Sequence, residues 1–247
     1  MPLFLRYAAL WYNALIIFII FSLTINTDNI IMSIKSMSYY SMKYMEIKMA
    51  EKKTLRQKQK ILTRRNIIDV ALRLFAINGL TATRTSHVAK EAGVSHGTIF
   101  VHFKTQEELL TAVIEEFGVR VNSRLHELAS GKNGVKQIFE AHIAALTEFE
   151  AFYSRLVIEK GILPEAARIT FTVIQSNISF HISQAAQREI EEGLIISLPI
   201  HMIFNGWVAL IHYYLMNRDL FSPGQSVLNK YGSQLVDYYM KLLEVKT

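Results

Sequence analysis

An all-α fold is predicted by three features of this 247-residue sequence. From Ile61 onward, apolar residues recur with the period of one helical face. No run alternates apolar and polar residues between hairpin turns, as a strand would. Glycine and proline fall where helices would begin or end, at Asn78-Gly79, Gly93, Ser130-Gly131, Pro164, Pro199 and Pro223-Gly224. The expected architecture is an N-terminal three-helix domain followed by a C-terminal helical bundle.

Composition narrows the chemistry. The chain has no cysteine, which removes disulfides and thiolate metal sites and fits a reducing cytoplasm. A net charge of +6 permits an anionic partner. There is no phosphate-binding glycine loop and no H-E-x-x-H, so an enzyme is not expected. His87, His96 and His102 do not have metal-ligand spacing, and neither a metal nor a cofactor is expected.

Residues 1–48 form an atypical extension whose only acids are Asp28 and Glu46. Within it, residues 7–25 carry no charge and are long enough for a bilayer crossing. Two readings stand side by side. One is a membrane anchor, with the lysines that follow it holding the rest of the chain on the cytoplasmic side. The other is a misassigned start, with the natural start at Met45 or Met49.

Residues 49–60 then read as a basic arm. Between Lys52 and Arg65 there are seven basic residues and no acid, a composition suited to following phosphates. The first helix is expected from Ile61 to Ile77, its stripe formed by Ile68, Ala71, Leu72, Phe75 and Ala76. Thr83 or Thr85 is expected to cap the second helix, where free amides also suit a phosphate oxygen. Val88, Ala89 and Ala92 face inward, and Gly93 ends that helix as a left-handed residue. Val94 fills the turn, and Ser95 is placed to cap a third helix from Gly97 to Phe103. Helix, glycine turn, helix is the helix-turn-helix, whose second helix enters the DNA major groove.

These residues also resemble a family. Val88-Ala89, Ala92-Gly93-Val94-Ser95, Gly97-Thr98-Ile99-Phe100, His102-Phe103 and Glu107–Leu109 are similar to the N-terminal domain of TetR (tetracycline-repressor-like) transcriptional regulators. The resemblance spans Ile61 to Phe117. Base contacts are expected from Ser95, His96 and Thr98, with Gly97 allowing close approach and Phe100 able to touch thymine methyls. His102 is expected to support the local fold or a phosphate, while Phe103 is expected in the core. Phe100 stands where the family has tyrosine, and Gln106 where it usually has lysine. The resemblance therefore implies two missing phosphate contacts and a shallower salt dependence, with Lys104 and Thr105 as the compensating pair.

The fourth helix begins near Thr105, which can cap it with Glu108 three residues on. Residues 106–247 are expected to hold a small-molecule site and a dimer interface, the 61–105 segment being the DNA-binding domain. Later helices are expected over Gly134–Glu150, Phe152–Ile162, Pro164–Glu192, Pro199–Met216 and Gln225–Val245. Aromatic and polar residues on apolar helices nominate a pocket of Phe117, Phe139, His142, Phe171, Gln175 and Trp207. Ile203, Trp207, Leu210 and Tyr214, with Leu228, Tyr231, Leu235 and Tyr238, form two apolar stripes. In the resemblance the last two helices build a four-helix dimer interface. The expected function is a cytoplasmic, homodimeric regulator, most simply a repressor released from a palindromic operator in double-stranded DNA by an unknown small-molecule effector. The alternative is a membrane-tethered regulator, or a membrane protein whose helical domain binds a partner, if residues 7–25 are translated.

Overall fold

The computed structural model describes residues 55–129 and 134–245. The segment 7–25, and with it the anchor and start-site readings, lies outside them. Among the described residues no helix is long and apolar enough to cross a membrane.

Helix α1 runs from Leu55 to Asn78, six residues earlier than the apolar pattern suggests. The stretch ahead of Ile61 is Leu, Arg, Gln and Lys, all strong helix formers. The expected basic arm is therefore, from Leu55 on, the exposed first turns of α1. The stripe farther along the helix is buried: Ile67, Ile68, Val70, Ala71, Leu74 and Phe75. Each fully buried aliphatic or phenyl side chain contributes roughly 1.5–3 kcal/mol. Helices α2 (Thr85–Glu91) and α3 (His96–His102) complete the N-terminal unit. They add Val88, Ala89, Ile99 and Phe103 to its core.

Helix α4 (Gln106–Leu128) runs on from that unit. It packs on α1 and against α5 (Val135–Thr147) and α7 (Glu165–Glu191). Between these come α6 (Glu150–Glu159) and a 3-10 turn at Lys160–Ile162. Helix α8 (Ile200–Met216), a short α9 (Arg218–Phe221) and α10 (Val227–Leu243) close the bundle. Pro164 and Pro199 stand just before their helices as N-caps, one position outside the first turn expected for them. The break between α5 and α6 falls at Glu148–Phe149 rather than after Glu150, and Glu150 opens α6 with its side chain buried. Among the described residues no named strand is found, and one isolated bridge joins Ile195 to Glu244.

Candidate nucleic-acid interface

The turn between α2 and α3 is built by backbone geometry. Gly93 has φ +68°. Its amide donates to the Lys90 carbonyl at 3.2 Å, and the Val94 amide donates to the Ala89 carbonyl at 3.0 Å. This bond pair closes a helix in the Schellman manner and needs a left-handed residue at its centre. Asn66 of α1 secures the turn by donating to the Ala92 carbonyl at 2.9 Å. Ser95 caps α3, its Oγ accepting from the Thr98 amide at 3.1 Å and pairing with the Thr98 hydroxyl at 2.8 Å. Thr105 caps α4 by accepting from the Glu108 amide at 3.0 Å, and Glu108 returns to the Lys104 amide at 2.7 Å.

Of the expected DNA-facing residues, Ser95, His96, Gly97, Phe100, Lys104 and Thr105 are exposed, and Thr98 is half-buried. Thr83 requires a correction. It is 2% exposed, and its hydroxyl donates to the Gly79 carbonyl at 2.7 Å. Neither threonine caps α2, because the N-cap position is Arg84, between them. Thr85 is buried as well, and its hydroxyl pairs with His96 Nε2 at 3.0 Å. His102 is half-buried. Burial, and after it the charges of Lys60 and Arg64, push its imidazole below the usual histidine range. A lowered proton affinity makes it a poorer cation for a phosphate. Gln106 also has a local task, its side-chain amide donating to the Thr83 carbonyl at 3.1 Å.

Arg64, one of the basic residues expected to follow phosphates, instead lies over the Phe103 ring at 4.6 Å. Arg84 was missed from sequence. It is exposed at the start of α2, whose first turn holds no acid. A cation beside the positive end of a helix dipole is unfavourable unless an anion is near. That mismatch was the available signal.

The C-terminal bundle connects to this unit through α6 as well as α4. Glu159, at the end of α6, accepts from the Leu80 amide at 3.1 Å, and from the Thr81 amide and hydroxyl at 3.0 Å each. Gly79, at φ +96°, lets the loop come this close, since a Cβ there would lie 2.9 Å from the carboxylate. At the other end of α6, the buried Glu150 accepts from the Val227 amide at 2.8 Å, the Leu228 amide at 3.0 Å and the Ser226 hydroxyl. Helix α6 is thus held by carboxylates at both ends, to the first turn of α10 and to the loop before α2.

The expected pocket residues are mostly core. Phe117, Phe139, Phe171 and Trp207 are fully buried. Phe139 stacks on Trp207 at 4.2 Å between ring centroids, and Phe117 stacks on Tyr153 at 5.6 Å. His142 accepts from the Trp207 indole at 3.1 Å, and burial, with His212 nearby, lowers its pKa to about 3. Gln175 is half-buried and hydrogen-bonds Tyr153, whose hydroxyl also shares a 2.7 Å bond with His212. A cavity of about 80 Å³ lies elsewhere, between α4, α5 and α7, with His126, His181, Gln184 and Arg188 among its lining.

The expected dimer stripes also need correction. Ile203, Trp207, Leu228 and Leu235 are buried in the protomer. Leu210, Tyr214 and Tyr231 are half-buried, and Tyr214 stacks on Phe221 at 4.3 Å. Tyr238 is exposed, as a contact residue must be. The outer sides of neighbouring α8 and α10 instead present Met202, Ala209, Tyr213 and Met216, and Tyr238 with Leu242.

A short helix, a left-handed turn and a second helix with an exposed, polar N-terminal end, braced by two longer helices, define a helix-turn-helix DNA-binding protein. Residues 67–113 match the model of the family described as bacterial regulatory proteins, tetR family. The fatty acid metabolism regulator protein of Bacillus subtilis (strain 168) is 29% identical over 187 residues, covering 69% of this chain and 94% of that protein. The solved structure of the transcriptional regulator FadR from Bacillus subtilis in complex with stearoyl-CoA superposes with a TM-score of 0.60 at 18% identity, covering 71% of this chain and 96% of that one. A TetR-family regulator from Agrobacterium tumefaciens gives a TM-score of 0.64 at 13% identity, covering 75% and 100%. Residues 67–113 are thus a tetR-family domain, and the rest of the chain is similar to regulators that carry it. The protein is a DNA-binding transcriptional regulator and not an enzyme.

Proposed function

We propose that this protein is a cytoplasmic, homodimeric repressor of a palindromic operator, released by an effector of the long-chain acyl-CoA class. The observation that carries the DNA-reading part is the exposed first turn of α3, where His96, Gly97 and Thr98 follow the capping Ser95. Arg84, Lys104 and Thr105 flank it and supply phosphate contacts, while Thr83 and His102 serve the local fold.

Dimerisation is supported by the outer apolar side of α8 and α10 and by DNA geometry. One recognition helix reads only a few base pairs, and two placed about 34 Å apart read a palindrome. Met202, Tyr213, Met216, Tyr238 and Leu242 are the proposed contact residues.

The effector class is supported by likeness to a fatty acid metabolism regulator over most of that protein's length, and by the stearoyl-CoA bound to a protein of the same fold. Buried polar atoms of Thr111, Asn122, His142 and Ser154 have no hydrogen-bond partner among the described residues. Unpaired polar atoms in an apolar interior favour any state in which a ligand or water reaches them. Because the aromatic core is closed, an acyl chain binds only by favouring a more open bundle, and such a ligand shifts the equilibrium by its differential affinity.

Stearoyl-CoA, added to the full-length protein on the DNA flanking its own gene, is expected to weaken binding by about tenfold or more. Free CoA and acetyl-CoA are expected to leave the complex intact. Equal behaviour across the chain-length series would remove the acyl-CoA class and leave the DNA-binding assignment standing.

A further inference from the structure

The pairing of Thr85 with His96 has a consequence for how DNA is read. Thr85 is the first residue of α2 and is 8% exposed, so its hydroxyl is not presented to a phosphate. It meets His96 Nε2 at 3.0 Å. His96 is the first residue of α3 and is exposed. Its ring also stands edge-on to Phe100, one turn later, with centroids 5.0 Å apart. The imidazole is therefore held at one nitrogen and against one ring.

A neutral imidazole has one donor nitrogen and one acceptor nitrogen. With Nε2 engaged by Thr85, Nδ1 is the single ring atom left to a base edge, and its character is the opposite of whatever Nε2 does in the bond. A free histidine at the same place would present either nitrogen at many angles and discriminate poorly. We infer that Thr85 is a positioning residue for sequence recognition: its hydroxyl fixes the His96 ring so that Nδ1 makes one directed hydrogen bond in the major groove. This rests on the proposal that His96 reads a base.

A single directed bond specifies one base pair, and its loss costs about tenfold in preference there, at the lower end of what a two-bond contact gives. The two threonines flanking Arg84 then have different tasks. Thr83 closes the α1–α2 loop, whereas Thr85 acts through His96 on specificity.

The test uses the full-length protein and a library of randomised duplexes, followed by affinities for the selected site and each of its single-base variants. His96→Ala is expected to flatten the preference at one base pair in each half-site by about tenfold. Thr85→Val keeps the shape and removes the hydroxyl, and is expected to flatten the same base pair while leaving the others unchanged. Thr85→Ser, which restores the hydroxyl, is expected to keep the wild-type preference. The double variant Thr85→Val with His96→Ala is expected to match His96→Ala alone. Thr85→Ala provides the same comparison if the valine variant does not fold. If the hydroxyl-free variants weaken binding equally on every sequence while His96→Ala flattens one position, the hydroxyl is only structural and the inference is overturned. If His96→Ala changes no preference, His96 is not a reader, and both the base-reading proposal and the inference fall.

Discussion

Glu150→Ala is expected to destabilise the protein by about 3 kcal/mol, because a buried carboxylate that accepts from a helix N-terminus leaves its donors unpaired when removed. The donors are the Val227 and Leu228 amides and the Ser226 hydroxyl, and Glu150 itself is 8% exposed. The amides belong to the first turn of α10, where the positive end of the helix dipole also favours an anion. Thermal unfolding is the check. For a chain of this size the loss corresponds to a fall in Tm of roughly 6–12 °C. Glu150→Gln keeps one acceptor oxygen but turns an amide toward these donors, so it is expected to recover only part of the stability. A Glu150→Ala variant that unfolds within a degree of wild type would contradict the assignment.

Glu159→Ala is the second large effect, and it bears on regulation more than on folding. The Glu159 carboxylate gathers the Leu80 amide and the Thr81 amide and hydroxyl across the join between bundle and DNA-binding unit. The side chain is only half-buried, so solvent screening limits the expected loss to about 1–2 kcal/mol. The functional expectation is larger. Residue Tyr153, on the same helix, stacks on Phe117 of α4 and bonds His212 of α8. On the proposed mechanism, a ligand that opened these contacts would move α6, and Glu159 would pass that movement to the loop before α2. Allosteric coupling is a free energy between two sites, commonly about 5–150-fold in affinity. Loss of Glu159 is expected to reduce the effector-induced change by about threefold or more, with α4 carrying the remainder. Operator affinity measured with and without stearoyl-CoA checks this. An unchanged ratio would assign all of the coupling to α4. Glu159→Gln is expected to recover only part of the coupling, since it keeps one acceptor oxygen for three donors.

The helix-turn-helix was legible because its determinants are local. Gly93 needs no distant partner to take its left-handed conformation, and Ser95 and Thr105 cap helices that start one residue later. Helix class and order could likewise be read from periodicity and punctuation. The carboxylate clamps were not legible, because each joins groups more than seventy residues apart, a distance that no helical period reports. The capping threonines were misjudged by one register position. Residue type marked both Thr83 and Thr85, but the cap position falls on Arg84.

Four of the expected dimer residues, Ile203, Trp207, Leu228 and Leu235, lie in the core for a different reason. Helix α8 carries large apolar side chains nearly all round, from Met202 and Ile203 through Tyr213 and Met216. A helix apolar on every side does not declare which side faces its own core. Packing against α7, α6 and α10 makes the choice. It buries Ile203 and Trp207 and leaves Met202, Tyr213 and Met216 outside. Trp207, expected in both pocket and interface, is fully buried in the core.

Sequence-specific recognition of a two-fold DNA site by paired α3 helices is the expectation on which the proposed function rests. Its most direct test is to select fragments of the protein's own genome bound by the full-length chain at moderate salt, and to align what is recovered. An inverted repeat is expected, its half-sites about one helical turn apart or a multiple of it, with affinity for it at least about a thousandfold above that for scrambled DNA. Recovery of fragments with no shared palindrome, bound as tightly as scrambled sequence, would contradict it.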